Sequence, residues 1–352
     1  MKFSYEALPG RVVSAPGALG EVGDEVTRLG GARVFLIVDN AAQAYGDTVE
    51  RQLGPRLAAR WNEAIQHVPT ELAERALANA RKARADILVS IGGGSATGLA
   101  KIIALDTKLP IIAVPTTYAG SEMTPIYGST GERHKRVGKS MDVLPKTVIY
   151  DPNLTLGLPT NVTGPSAFNA IAHSVEALWM PQANPITSAI AIEGVRAIAA
   201  SLATVMHDPT NVDARSELQY GACLSGMSLA QTGTGLHHKL CHVLGGTFNL
   251  VHADTHSVIL PHALAFNARA IPNELPRLAA ALGVAANDAA GGLWDLAKAS
   301  GVPTSLAELG LQRSDLPEAA DRAATEVTAN PVPVNRDKLL KLLENAFDAA
   351  RP

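Results

Sequence analysis

The apolar residues of this chain follow two different periods, and the change between them falls near residues 155 to 162. Before the change, short runs of apolar and β-branched residues alternate with helix-forming segments. The predicted strands cover residues 34–39, 87–91, 111–115 and 147–152, and the predicted helices of this part cover 53–64 and 70–84. Strands that alternate with helices indicate a parallel sheet with helices on both faces, so we predict an α/β domain over residues 1–158.

Helical runs rich in Leu and Ala fill the rest of the chain almost without interruption. They cover residues 163–180, 185–206, 213–231, 236–245, 275–282, 289–300, 317–325 and 336–349. We therefore predict that residues 159–352 form an all-α domain. A length of 352 residues is sufficient for two domains that each have a core of their own.

The composition excludes several classes of function. A net charge of -3 gives no general attraction to nucleic acid or to an anionic membrane surface, so we expect neither as a partner. The two cysteines, Cys223 and Cys241, are too few for a disulfide framework. We find no secretion signal at the start of the sequence and no long uncharged apolar run. These observations lead us to expect a cytoplasmic protein.

Three consecutive glycines, Gly92, Gly93 and Gly94, follow the predicted strand 87–91, and Ser95 comes next at the start of a helix. Glycines let the backbone approach a ligand closely, and a helix N-terminus presents N–H groups with a partial positive charge. This combination suits a pyrophosphate, although such a turn can also serve tight packing alone. We interpret the first domain as a Rossmann-like, dinucleotide-binding domain.

A second loop, after the strand 111–115, is rich in hydroxyl groups and completes the predicted cofactor site. Asp39 ends the first strong strand, where it could accept from a ribose 2′-hydroxyl or cap the following turn. Asp39 disfavours a 2′-phosphate and Asn40 tolerates one, so both NADH and NADPH stay open as cofactors. The candidate cofactor residues are Asp39, Asn40, Gly92, Gly93, Gly94, Ser95, Thr116, Thr117, Ser121 and Lys146.

Six of the ten histidines fall within 26 residues of the second domain. If residues 236–245 are helical, His238 and His242 share one helix face, and Asn169 and His173 form a second pair with the same spacing. His252 can return to the same space after the helix ends. Two helices with such pairs predict a pocket lined with imidazole groups.

The motifs occur in a characteristic order: Gly-Gly-Gly-Ser at 92–95, Pro-Thr-Thr at 115–117, Gly-Ser-Glu at 120–122, Asp151-Pro152, the pair Asn169 and His173, and His238-x3-His242-x9-His252. In this order they resemble the iron-containing alcohol dehydrogenase superfamily, over nearly the whole chain. The resemblance implies a dinucleotide-binding α/β domain and an all-α domain in the dehydroquinate synthase-like architecture. It also implies an active site in the cleft between the domains and a homodimer.

By this resemblance, a metal would be held by the residues at positions 169, 173, 238 and 252, with His242 nearby as a proton-relay group. The alcohol dehydrogenases have Asp at the first of these positions, and this chain has Asn169. A neutral amide removes the only anion that would offset a divalent cation, so we expect no metal. Three histidines could still hold zinc.

Residues 114–128 resemble the maleylacetate reductase branch of the superfamily. That likeness implies a small dicarboxylate substrate whose carbon–carbon double bond receives a hydride, and histidines can stabilise the resulting enolate. The predicted catalytic residues are His173, His238, His242 and His252, with His242 or His252 as the general acid. The predicted substrate-binding residues are Asn169, His237, Tyr118 and Thr116. We interpret His256 and His262 as structural. Glu176 or Asp254 could orient an imidazole from outside the predicted pocket.

Three other functions compete with this one. A metal-dependent alcohol or polyol dehydrogenase would use the same site with iron or zinc. A lyase of the dehydroquinate synthase type would need more Lys and Arg phosphate ligands than residues 130–146 provide. A nucleotide-sensing module without catalysis would leave the histidines without a purpose. The resemblance to the reductases implies a pathway of aromatic degradation of the catechol or hydroxyquinol type.

Overall fold

Six strands of the first half of the chain lie side by side in one parallel sheet. The computed structural model describes residues 3–65, 68–131, 135–327 and 330–352. The strands of the sheet are β1 (Arg11–Ser14), β2 (Val34–Val38), β3 (Leu57–Trp61), β4 (Ile87–Gly92), β5 (Ile111–Pro115) and β8 (Thr147–Tyr150), and they lie in the order β1-β8-β5-β4-β2-β3. Two further strands, β6 (Ile126–Thr130) and β7 (Lys135–Lys139), form an antiparallel pair.

The helices of this half are α1 (Val22–Arg28), α2 (Gln43–Leu53), α3 (Thr70–Lys82) and α4 (Gly94–Thr107). Apolar residues of β2, β4 and β5 are fully buried, because strands in the middle of such a sheet are covered on both faces. This explains why they were recognisable as continuous apolar runs. The parallel sheet that we predicted is confirmed.

The predicted helix over 53–64 is wrong. Helix α2 ends at Leu53, Gly54 adopts a positive φ of 50°, and Pro55 follows. The segment Leu57–Trp61 then pairs with the free edge of β2 as strand β3. Its Leu, Ala and Arg residues favour a helix locally, but hydrogen bonding to the neighbouring strand overrides that weak preference.

The second half of the chain consists of helices. They are α5 (Thr160–Ala177), α6 (Pro185–His207), α7 (Val212–Thr232), α8 (Leu236–Phe248), α9 (His252–Asn267), α10 (Leu275–Ala281), α11 (Ala289–Ala299), α12 (Leu316–Glu326) and α13 (Arg336–Phe347). We did not predict α9, which contains Pro261 within its length. The chain divides into two compact units, one of residues Ala7–Leu158 and one of Pro159–Pro352 with residues 3–6.

Helix α6 is long and apolar enough, by length and composition alone, to cross a membrane. Within its own unit it packs against α5, α7 and α10. It also carries Arg196, which forms ion pairs with Glu193 and with Glu217 of α7. These contacts are those of a helix in the core of a bundle. A second apolar core joins α8, α9, α12 and α13.

Candidate active site

The glycine turn lies against the carboxylate of Asp39. Strand β4 ends at Gly92 with a φ of 149°, and a Cβ at that position would lie 2.2 Å from Asp39 Oδ2. The same oxygen accepts from the Gly93 N–H at 2.7 Å, and Asp39 Oδ1 accepts from the Ala41 N–H at 3.0 Å. Asp39 therefore caps the turn that follows it and also fixes the glycine turn. Only glycine fits at position 92.

The two loops that we predicted to form the cofactor site touch each other. The Thr116 N–H donates to the Gly92 carbonyl oxygen at 3.0 Å, and a Cβ on Gly93 would lie 3.2 Å from Thr117 Cγ2. Helix α4 begins at Gly94, which is exposed, and no side chain caps its N-terminus. This helix end therefore presents N–H groups that can bind an anion.

The order of the strands places this turn at a topological switch point. After β2 the chain moves outward to β3, and it then crosses back to β4 on the other side of β2. The connections that leave β2 and β4 therefore run in opposite directions, and a crevice opens between their carboxyl ends. Nucleotides bind at such crevices in α/β sheets. Asp39 and the glycine turn lie there, with exposed Asn40 and partly exposed Ser95 beside them in sequence.

The prediction for Lys146 is wrong. Its backbone N–H donates to the carbonyl oxygen of Ile111, the first residue of β5, whereas the glycine turn follows the last residue of β4. The amino and carboxyl ends of parallel strands of this length lie about 13 Å apart. The Lys146 side chain cannot span that distance to the cofactor residues.

A different lysine holds the second loop. Lys101 of α4 is fully buried, and its Nζ donates to oxygens of Ser121, Thr124 and Ile126 at 2.5 to 3.3 Å. Burial lowers the pKa of Lys101 to about 7, and the nearby Glu122 carboxyl opposes that shift. Ser121 is thus engaged with Lys101, and its predicted contact with a cofactor stays a prediction.

The remaining predicted residues of the first unit, Thr116 and Tyr118, are buried. Tyr118 is fully inaccessible, so its hydroxyl group faces the protein interior. Their proposed contacts with substrate stay predictions.

Six imidazole rings converge in the second unit. They come from three helices: His173 from α5; His237, His238 and His242 from α8; and His252 and His256 from α9. Neighbouring ring centroids lie 4.5 to 6.3 Å apart, so the rings form one connected group, called here the histidine cluster. The predicted convergence of histidines on α5 and α8 is observed, and α9 contributes the remaining two rings.

His256 belongs to this cluster, although we interpreted it as structural. Its Nδ1 lies 2.7 Å from His237 Nε2, and its Nε2 lies 3.0 Å from His252 Nε2. The three rings form a hydrogen-bonded chain from fully buried His237 to half-buried His252. The spacing of four residues between His252 and His256 is the signal that could have identified both the ring and its helix. His262, further along α9, has no place in the cluster.

Glu176 of α5 is the carboxylate that orients the cluster. It is fully buried; its Oε1 accepts from the backbone N–H of His237 at 2.7 Å, and its Oε2 lies 2.6 Å from His238 Nδ1. The first contact satisfies an N–H group in the first turn of α8, and the second fixes the direction of the His238 ring. His238 Nε2 therefore points away from Glu176.

The cluster has a buried side and an open edge. Burial and the neighbouring imidazoles hold the pKa values of His173, His237 and His256 well below that of an ordinary histidine. These rings are therefore neutral at pH 7, each with one N–H donor and one lone pair. His242 is exposed and stacks with half-buried His252, with ring centroids 5.7 Å apart. A ligand can reach the cluster from this pair.

Among the buried atoms without a hydrogen-bond partner in the described residues are three at positions that the resemblance assigns to a metal: Asn169 Oδ1, His173 Nδ1 and His238 Nε2. Each can offer a lone pair, and a histidine whose other nitrogen bonds a carboxylate is a common zinc ligand. The three atoms therefore fit a zinc ion, which when bound would polarise a carbonyl oxygen. The set has no anionic ligand, because position 169 is Asn.

A second group with metal-ligand chemistry is His237, Cys241 and His256, whose ligand atoms lie within 4.8 Å of one another. Two of these nitrogens are 2.7 Å apart, which is shorter than the about 3.3 Å between nitrogens on one tetrahedral zinc ion. Burial and nearby Glu176 raise the pKa of the Cys241 thiol well above its usual value. We therefore interpret these three residues as a hydrogen-bonded group and not as a zinc site.

Comparisons with known proteins cover both units. Residues 9–152 match the sequence profile of iron-containing alcohol dehydrogenase, and residues 163–347 match that of the C-terminal part of the Fe-containing alcohol dehydrogenase family. The chain is 48% identical to a maleylacetate reductase of Burkholderia cepacia over 350 residues, 99% of each chain.

Solved structures agree with these sequence matches. The crystal structure of maleylacetate reductase from Agrobacterium tumefaciens is 42% identical, covers 100% of both chains and has a TM-score of 0.96. A 1,3-propanediol oxidoreductase is 28% identical, with a TM-score of 0.90 and coverage of 99% of this chain and 100% of its own. The fold predicted for both halves is thus the fold of these enzymes.

Proposed function

Because this chain belongs to the iron-containing alcohol dehydrogenase family, we propose that it reduces the carbon–carbon double bond of maleylacetate to give 3-oxoadipate, with NADH or NADPH as reductant. The full-length likeness to maleylacetate reductases supports the substrate. The observation that carries the chemistry is the histidine cluster, together with the neutral Asn169 four residues before His173 on α5. So many nitrogen donors suit a multiply anionic substrate, and a neutral alcohol has no comparable need of them.

The glycine turn and the N-terminus of α4 bind the pyrophosphate of the cofactor in this proposal. When bound, the nicotinamide supplies a hydride to the alkene carbon β to the ketone. The electron pair of the alkene then forms a double bond between the α carbon and the former carbonyl carbon. The π pair of the carbonyl group moves to its oxygen, which becomes the enolate oxygen. Imidazole N–H groups donate to that oxygen and to the substrate carboxylates. The proposal requires that the cofactor of the first unit reach the histidine cluster of the second.

His242 or His252 then protonates the α carbon of the enolate and completes the addition of one hydride and one proton. Both rings lie at the open edge of the cluster, where a proton can be replaced from solvent.

His238 has a different role in the proposal. Glu176 Oε2, 2.6 Å from Nδ1, holds the His238 ring in one orientation, so that in this proposal Nε2 is directed away from the carboxylate and towards the substrate.

The direct test is an assay of NADH and NADPH oxidation in the presence of maleylacetate, with identification of the product. We expect stoichiometric formation of 3-oxoadipate. Oxidation of neither cofactor, or reduction of the ketone to an alcohol, would contradict the proposal. The ratio of kcat/KM for the two cofactors also decides between NADH and NADPH.

A metal-dependent alcohol dehydrogenase is the second candidate, and the three partnerless atoms of Asn169, His173 and His238 favour it. We propose that turnover of maleylacetate does not require a metal. Elemental analysis of enzyme purified without added metal, combined with the assay before and after chelation, separates the two candidates. Loss of maleylacetate turnover on chelation, with recovery on adding zinc or iron, would favour the second.

We further propose that the enzyme acts as a cytoplasmic homodimer in the degradation of catechol- or hydroxyquinol-type aromatic compounds. The implied substrate, a product of aromatic ring cleavage, supports the pathway. Light scattering of the purified enzyme tests the assembly, and a mass near that of one chain would contradict it.

A further inference from the structure

A cavity of about 420 Å³ opens in the second unit between the end of α9 and α13. Its lining residues are His262, Ala265, Phe266, Arg269, Val332, Lys338, Lys341, Leu342, Asn345 and Pro352. His262 is ten residues beyond His252 on α9, which corresponds to about 15 Å along a helix. The cavity is thus separate from the histidine cluster, and the proposed function makes no use of it.

The rim of the cavity is positively charged. Arg269, Lys338 and Lys341 line it, and no Asp or Glu side chain is among the lining residues that the structure describes. Lys338 Nζ donates to the Pro333 carbonyl oxygen at 3.1 Å, which leaves its charge unbalanced. Lys341 Nζ lies 3.8 Å from Glu344 Oε2, and such a long, exposed contact is weak. The rim therefore attracts an anion.

His262 gives the cavity a buried polar group. The residue is 4% exposed, and its Nε2 is buried without a hydrogen-bond partner within the described parts of the chain. A buried nitrogen without a partner costs stability. Because His262 Nε2 is itself inaccessible to solvent, it lies behind the wall of the cavity. Burial lowers the pKa of His262 to about 4, so at neutral pH the ring is uncharged and can donate one hydrogen bond.

The rest of the lining is apolar and includes the ring of Phe266 and the side chains of Val332 and Leu342. An inorganic anion would make no use of this surface, whereas an organic anion with a flat apolar body would cover it. We propose that this cavity is a second ligand site and binds a small aromatic carboxylate. Arg269 and Lys341 hold the carboxylate, and the apolar body lies against Phe266 and Leu342.

Isothermal titration calorimetry of the intact enzyme with benzoate tests this site. The double variant Arg269→Gln/Lys341→Gln removes two rim charges, and Arg196→Gln/Arg322→Gln is the matched control, since it removes two exposed arginine charges away from the cavity. We expect the Kd for benzoate to rise by about tenfold or more in the first and to change by less than about twofold in the second. Circular dichroism checks that both fold.

Two further measurements keep the result unambiguous. Benzoate could also bind at the histidine cluster, so the titration is repeated with His242→Ala, in which the rim-dependent binding should persist. Lys341→Gln alone serves if the double variant does not fold, because the Lys341 side chain is 71% exposed. The proposal is overturned if benzoate does not bind, if the rim variants bind it as wild type does, or if inorganic phosphate binds as tightly.

Discussion

Glu176 and His238 form a buried pair, with the carboxylate Oε2 2.6 Å from the ring Nδ1 and both side chains at most 5% exposed. Glu176→Gln keeps the shape of the side chain and removes its charge. The neutral amide accepts less strongly from the His237 N–H and from the His238 ring, so the ring is held less firmly and we expect kcat to fall by about 10- to 100-fold. Steady-state assays measure this, with Glu193→Gln as the control at an exposed position. Unchanged kcat in Glu176→Gln would contradict the orienting role.

His242 lies at the open edge of the cluster, where we place the proton donor. His242→Ala should lower turnover of maleylacetate by about 100-fold, because a positioned general acid contributes that much or more. Binding of the nicotinamide cofactor, measured by fluorescence titration, should stay nearly intact. Equal loss of turnover and of cofactor binding would show that His242 is not at the chemical step.

Asn169 presents a buried oxygen without a partner in the described structure, as His173 and His238 each present a buried nitrogen without one. Asn169→Asp adds an anionic ligand at this position and should raise zinc or iron affinity by about tenfold or more. The added negative charge should also repel a dicarboxylate substrate and reduce turnover. Elemental analysis and kinetics report the two effects. An unchanged metal content would show that this position does not control metal binding.

Lys101 donates to three residues of the loop after β5 from a fully buried position. Lys101→Met removes one donor from each of these three carbonyl oxygens, and Thr124 Oγ1 still donates to the one of Ser121, so we expect a loss of about 3 kcal/mol in the free energy of unfolding. The matched control is Lys108→Met at the end of the same helix, which removes an exposed ion pair with Asp142 and should cost less than about 1 kcal/mol. Urea denaturation compares the two, and equal midpoints would refute this account.

His262 couples stability to pH. Its folded pKa of about 4 is below the ordinary value of 6.5, so the unfolded chain binds the additional proton first as the pH falls. The contribution of His262 to the free energy of unfolding is fully present above pH 6.5. It is lost progressively between pH 6.5 and 4, by about 3 kcal/mol in total. The unfolding free energy of wild type minus that of His262→Leu should fall as the pH is lowered across this window. A constant difference would mean that His262 does not titrate there.

The sequence was sufficient to predict most of the sheet and most of the helices. Buried parallel strands such as β4 and β5 appear as continuous apolar runs, and the glycine turn follows one of them. The pairs Asn169/His173 and His238/His242 could be placed because a spacing of four residues fixes a helix face.

Other features depend on contacts between distant parts of the chain. Strand β3 exists because the edge of β2 is available to it, which residues 57–61 do not reveal. Lys146 was misplaced because a residue next to a predicted strand can lie at its amino or its carboxyl end until the bounds of the strand are known. Helix α9 is missing from the predicted helices. It contains Pro261, a residue that disfavours the interior of a helix, and without this helix His256 was left out of the cluster.

The position of Asp39 has a consequence for protein engineering. Both of its oxygens already accept from backbone N–H groups, one of them in the glycine turn. Exchanging Asp39 to change coenzyme preference would therefore also release the loop that is meant to hold the coenzyme. Asn40, exposed and next in sequence, is the safer place to redesign selectivity between the two nicotinamide coenzymes.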